Sequence, residues 1–179
     1  MEYLQSELNK AKQNLAEAKR LDEETGSDGS SSVNKISNST NGVKVMSTDV
    51  KDSIHNNASN VLIYGYMDND IIRIDCTTNN ANVNVLIFGG DGNDVIQNYE
   101  ADKSAIYGGG GNDFLRSGAE NSVIEYTSGD GNDTVVGYGA TSTLKIGDGY
   151  GTYSTQQSGS NIIVTVSEGK ITLSGASCK

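Results

Sequence analysis

Three short segments carry the residues best suited to chemistry. They are Gly89-Gly90-Asp91-Gly92-Asn93-Asp94, Gly108-Gly109-Gly110-Gly111-Asn112-Asp113 and Ser128-Gly129-Asp130-Gly131-Asn132-Asp133. The shared pattern is G-G-x-G-x-D, with serine for the first glycine in the third copy. Glycine is required because a positive φ costs little only without a Cβ. Such a turn points carbonyl oxygens inward, and the closing aspartate adds a charged oxygen. These are hard donors, suited to calcium and not to zinc or copper. The candidate metal ligands are therefore Gly89, Gly90, Asp91, Gly92 and Asp94; Gly108, Gly109, Gly110, Gly111 and Asp113; Gly129, Asp130, Gly131 and Asp133; and Asp70 in an earlier, degenerate copy. One turn offers about half of the six to eight oxygens that calcium takes. Each ion is expected to be shared by two stacked turns.

Stacking requires elements of fixed length around each turn. Apolar runs flank the turns: Val85 to Phe88 before and Val95 to Gln97 after the first, with counterparts at Ala105–Tyr107 and Phe114–Arg116 and at Ile124–Tyr126 and Thr134–Val136. The closing aspartates Asp94, Asp113 and Asp133 are 19 and 20 residues apart. Asp70 lies 24 residues before Asp94 and Asp52 a further 18 before that, in more degraded copies. Tandem units of strand, turn and strand predict a solenoid. Period-two alternation places Val61, Ile63, Val85, Ile87, Ile106, Ile124 and Tyr126 inward before the turns, and Ile72, Ile96, Leu115 and Val135 inward after them. Tyr64, Phe88 and Tyr107 share one repeated position and are expected to stack beside the turns. The opposite corners, such as Glu100–Lys103, lack the glycine pattern, so calcium is expected on one flank only.

The fold expected is all-β, a right-handed parallel β-roll or β-helix solenoid, with a short N-terminal α-helix and a C-terminal β-hairpin cap. Residues 1–21 are expected to form the amphipathic helix, with Leu4, Leu8, Ala11, Leu15 and Ala18 on one stripe. Residues 22–42 read as a polar linker that could begin a ragged first rung, 43–146 as the repeats, and 147–179 as a capping hairpin and secretion signal. The hairpin rests on Asn161–Val166 and Lys170–Leu173 flanking Ser167-Glu168-Gly169.

Composition agrees with a narrow core. Of 179 residues, 35% are apolar, 22 are glycine, and proline and tryptophan are absent. The net charge of −10 disfavours nucleic acid and anionic membranes and favours a cation. No apolar run is long enough to span a membrane, and the first residues lack the pattern of a cleaved secretory signal. Cys76 and Cys178 are either free thiols or, in an oxidising compartment, a pair. A lone His55 leaves no zinc site and no recognisable nucleophile partner, so enzymatic activity is not expected. An EF-hand fails for want of its spaced ligands and closing glutamate, and a phosphate loop for want of its Lys-Ser/Thr.

At Gly89–Gln97, Gly108–Arg116 and Ser128–Val136 the chain resembles the RTX family, the hemolysin-type calcium-binding repeats of exported bacterial proteins. The resemblance implies a parallel β-roll or β-helix, carbonyl and aspartate ligands in the turns, and type I export through an uncleaved C-terminal signal. The function expected is an extracellular calcium-binding structural module that folds on meeting calcium. The alternative is an adhesin or glycan-binding protein on the same solenoid. Stacked aspartates roughly 5 Å apart would repel by about 3 kcal/mol per adjacent pair, which predicts folding coupled to calcium.

Overall fold

The computed structural model describes residues 33–75, 84–118, 120–147 and 152–176. The expected N-terminal helix, Cys76 and Cys178 lie outside them. The described residues form fifteen strands: β1 (Asn34–Asn38), β2 (Lys44–Met46), β3 (Asp52–Asn56), β4 (Val61–Met67), β5 (Ile71–Ile74), β6 (Val85–Asp91), β7 (Val95–Asn98), β8 (Ala105–Gly110), β9 (Phe114–Ser117), β10 (Val123–Tyr126), β11 (Asn132–Val136), β12 (Thr143–Ile146), β13 (Tyr153–Ser158), β14 (Asn161–Val166) and β15 (Lys170–Ser174).

The strands sort into two sheets by turn. The even strands β2 to β12 make a six-stranded sheet, and the odd strands β1 to β11, extended by β15, β14 and β13, make a nine-stranded one. From β1 to β12 every pairing is parallel. The molecule is therefore a parallel β-solenoid, each coil placing one strand in each sheet.

The core is two facing ladders of identical register. Val45, Ile63, Ile87, Ile106, Ile124 and Leu144 are aligned on one sheet. Ile36, Ile54, Ile72, Ile96, Leu115, Val135 and Leu173 are aligned on the other. From Ile54 to Val135 the second ladder is almost wholly buried. Strands about 4.8 Å apart put like side chains in contact, so each rung completes its neighbour's core.

Two boundaries differ from expectation. The stretch 22–42 is not linker throughout, because β1 pairs with β3 and Ile36 packs on the core. The strand is hidden in sequence because Ile36 is its one apolar residue; polar contacts hold the rest, including Asn38 Nδ2 donating to Asn56 Oδ1 at 2.7 Å. At the far end β15 lies parallel on β11, and β14 and β13 follow antiparallel. The strand β13 is additional to the two expected there. Its polar, fully exposed sequence YSTQQS gives no alternation to read.

Candidate metal centre

The turns lie one above another along one flank, at 65–70, 89–94, 108–113 and 128–133. Their glycines hold the backbone geometry expected. Gly90 and Gly92 have φ of 122° and 138°, Gly109 and Gly111 of 105° and 141°, and Gly129 and Gly131 of 96° and 108°. A Cβ on Gly90, Gly109 or Gly131 would collide with the carbonyl oxygen of Tyr66, Gly90 or Gly111 in the preceding rung. Stacking is that close only because these residues have no side chain.

The degenerate turn keeps the same shape. Tyr66 pairs in register with Gly90, and Tyr66 and Asp68 adopt φ of 74° and 69°. A non-glycine residue held there costs about 1–2 kcal/mol. The sequence pattern, searched by glycine, undervalues this turn because its two positive-φ positions are held by Tyr66 and Asp68.

The closing aspartates form a continuous ladder. Asp52 N–H donates to Asp70 Oδ1, Asp70 N–H to Asp94 Oδ1, and Asp94 N–H to Asp113 Oδ1, each at 2.8 Å; Asp113 N–H donates to Asp133 Oδ1 at 2.9 Å. All five carboxylates are buried. Asparagines run a parallel ladder in the opposite sense: Asn93, Asn112 and Asn132 N–H groups donate back to Asn69, Asn93 and Asn112 Oδ1 at 2.5, 2.7 and 2.9 Å. Asp52 completes the aspartate ladder, though its own turn, Ser47-Thr48-Asp49-Val50-Lys51, has no glycine to announce it.

The other carboxylate oxygen is the chemically telling one. Asp70 Oδ2, Asp94 Oδ2 and Asp113 Oδ2 are buried without a hydrogen-bond partner. Each points at the place a Cβ would take on Gly65, Gly89 or Gly108. At Gly65 the carbonyl of Gly89 converges on the same place, and at Gly89 the carbonyl of Gly108 does. A buried carboxylate oxygen with no donor is costly unless a cation meets it. Burial accordingly pushes these carboxyls up, Asp70 and Asp113 to about 8, Asp133 to about 7 and Asp94 to about 6. Neighbouring carboxylates add to the rise, and the backbone N–H bonds oppose it.

The donor set fits calcium. Among the described residues no three His, Cys, Asp or Glu side chains cluster. Any ion here must take most of its oxygens from backbone carbonyls, with aspartate supplying the charge, as a hard cation allows. The residues placed to hold it are Asp70 with Gly89, and Asp94 with Gly108, each pair spanning two rungs. Gly92 and Gly111 N–H groups donate to the Gly110 and Asp130 carbonyls of the next rung at 2.8 and 2.7 Å and fix the turns in register.

The third turn is built differently. The strand β10 pairs with β8 at an offset of 18, whereas β11 pairs with β9 at 20, so two extra residues enter between Glu125 and Asp130. At Gly108 the three atoms nearest the place of a Cβ all belong to Asp113, with no carbonyl as close as those at Gly65 and Gly89. Asp130 is turned onto its own segment, with Oδ2 accepting Thr127 N–H at 2.6 Å. The Gly131 carbonyl is taken by Lys170 N–H at 3.0 Å and the Tyr126 hydroxyl at 2.6 Å. Asp91 Oδ1 lies 2.9 Å from where a Cβ on Gly110 would stand, and a Cβ on Gly129 would meet nothing within 4 Å.

Tyr64, Phe88 and Tyr107 do share one row, outside the six-stranded sheet. Tyr64 and Phe88 are stacked with centroids 5.3 Å apart, and Phe88 and Tyr107 are tilted at 6.0 Å.

The chain has similarity to known proteins. Among solved structures, the extracellular lipase LipA from Serratia marcescens is similar with a TM-score of 0.47 and 12% identity, over 84% of this chain and 39% of that one. This chain thus spans well under half of that lipase's length. No curated protein matches. The family model of the RTX calcium-binding nonapeptide repeat matches residues 84–97 and 105–124, in four copies. The turns at 89–94 and 108–113 are RTX calcium-binding repeats, and calcium is the ion they take.

Proposed function

We propose that this chain is a calcium-dependent structural module of an exported RTX-type protein, without catalytic chemistry of its own. Calcium would hold successive coils together by meeting carboxylate oxygens that are otherwise buried unpaired. The observation that carries this reading is the row formed by Asp70, Asp94 and Asp113 Oδ2. In a cytoplasm poor in calcium the row would oppose stacking and leave the chain unfolded enough to export. Outside the cell the ion would close it. The winding would be right-handed, as parallel crossovers are. The strands β14 and β15 would serve as the cap of the open end, and residues 147–179 would carry the signal read by a type I apparatus.

Calorimetry joined to circular dichroism tests the central claim. Millimolar calcium added to chelator-treated protein should bind with defined stoichiometry and bring a gain of strand signal. A strand signal identical in chelator and in calcium would overturn the coupling. Export is tested separately, by removing residues 147–179 and measuring the protein in the medium of a host with a type I system.

A further inference from the structure

The outward face of the nine-stranded sheet is not used by the calcium turns. One row there carries Ile71, Val95 and Phe114 across β5, β7 and β9, with Ile71 and Phe114 each 39% exposed. The adjoining row carries Arg73, Gln97 and Arg116. Tyr99, just beyond β7, lies between the two guanidinium groups, its ring centre 5.1 Å from Arg73 Cζ and 4.8 Å from Arg116 Cζ. Both distances are in cation–π range. Arg73 is further held by Asp75 at 2.5 Å, while Arg116 meets no acid among the described residues.

Over the seven parallel strands the two outward rows contain Lys35, Arg73 and Arg116 but no aspartate or glutamate, in a protein of net charge −10. Among the described residues the one acid paired with them, Asp75, follows β5 and is shared between His55 and Arg73, so Arg116 carries the unmatched charge. A tyrosine holding two guanidinium groups beside an exposed apolar row has the chemistry to meet an anion that is also rich in C–H.

We propose that this face binds an extended acidic polysaccharide of the polyuronate class. Arg73 and Arg116 are two strands apart, about 10 Å, so they would meet carboxylates on alternate sugar units of a chain lying across the strands. Guanidinium binds carboxylate in bidentate fashion. Ile71 and Phe114 would take the C–H faces of the rings. Two or three cations are too few for duplex DNA, whose binding depends on many neutralised phosphates. They are also fewer than the four to eight bases that hold a protein to an anionic membrane. The face exists only on the folded stack, so the proposal rests on the calcium-supported fold.

The test uses the full chain in saturating calcium, with the strand signal recorded first. Galacturonate hexasaccharide is titrated by calorimetry at fixed free calcium, beside its neutral methyl ester. The expected result is binding of the acid and none of the ester. R73Q/R116Q should weaken it about tenfold or more, with calcium binding and strand signal unchanged. Y99L, which keeps the charge but frees the arginines, should weaken it several-fold. A hexasaccharide that fails to bind the folded protein, or binds R73Q/R116Q undiminished, overturns the proposal; the latter means calcium itself bridges the ligand. Arginine-dependent binding of duplex DNA or phosphatidylserine vesicles in preference to the hexasaccharide also overturns it. Strand signal and hexasaccharide binding that both persist in chelator would keep this face and overturn calcium-coupled folding alone.

Discussion

Asp94 accepts an N–H from one rung with Oδ1 and leaves Oδ2 buried and unmatched. Its two oxygens have separate duties, and Asp94→Asn separates them. Asparagine keeps an acceptor for Asp70 N–H but brings no charge for the ion. Calcium affinity should fall tenfold or more, about 1.4 kcal/mol. In chelator the same variant should melt higher than the parent, because a desolvated carboxylate has been removed. Calorimetry and thermal melts, run in both conditions, read the two opposite signs. Glycines can be ranked in the same way. Gly90→Ala drives a Cβ into the Tyr66 carbonyl at a φ of 122°, whereas Gly42→Ala at 73° meets nothing within 4 Å. We expect a loss of about 1 kcal/mol at Gly42 and of 3 kcal/mol or more at Gly90, measured by urea unfolding in calcium. Sequence spacing alone identified Asp94, Asp113 and Asp133, because a regular turn repeats a regular need. It undervalued Asp52 and the 65–70 turn, where Tyr66 and Asp68 hold a backbone that the pattern reserves for glycine.

At the scale of the element, the aspartate ladder makes stability depend on pH with a sign that calcium reverses. An unfolded aspartate titrates near 4, about its ordinary value; burial pushes Asp94 up to about 6, Asp133 to about 7, and Asp70 and Asp113 to about 8. Between those limits the folded state binds more protons. Stability in chelator should therefore fall as pH rises from about 4 to about 8. In saturating calcium protons compete with the ion, so stability should rise over the same range. Melting midpoints at pH 5 and pH 8, with and without calcium, check the inversion. Elements at the end of the stack follow ladder logic. Lys170 N–H fastens β15 to the Gly131 carbonyl. Lys170→Pro removes that donor and should free the β11 edge, giving association that grows with concentration in light scattering. The parallel strands were legible because apolar residues recur at matched positions across rungs. The strands β1 and β13 were not, since Asn, Ser, Thr and Gln dominate them and a partner strand, not a pattern, fixes them. The two-residue insertion after Glu125 was hidden too, because Tyr126 still points inward and preserves the alternation.

For the whole molecule, the two flanks are held by unlike chemistry. The turn flank carries the calcium-binding repeats and the buried carboxylate oxygens. The opposite corners close on side chains: Asn98 donates to the Ala101 carbonyl and accepts its N–H, each at 2.9 Å, and Ser104 Oγ donates to the same carbonyl at 2.7 Å. Removing calcium should therefore open the molecule from one side. Hydrogen exchange in chelator should show amides at 89–94 and 108–113 exchanging well ahead of those at 98–104. Equal exchange on both flanks would mean that the ion stabilises the whole stack evenly.

The opposed ladders of asparagine and aspartate hold a last consequence. Along these two ladders each rung gives one neighbour the backbone bond that it receives from the other, so the molecule has an editable length. Strand spacings of 18, 19, 20 and 24 residues are all accommodated between successive coils. Excision of residues 95–113 as one unit would splice Asp94 to Phe114 and leave every junction chemically like the one it replaced. Gain or loss of whole coils is thus the mutational route this architecture leaves open, and a cut within a turn is the one it forbids.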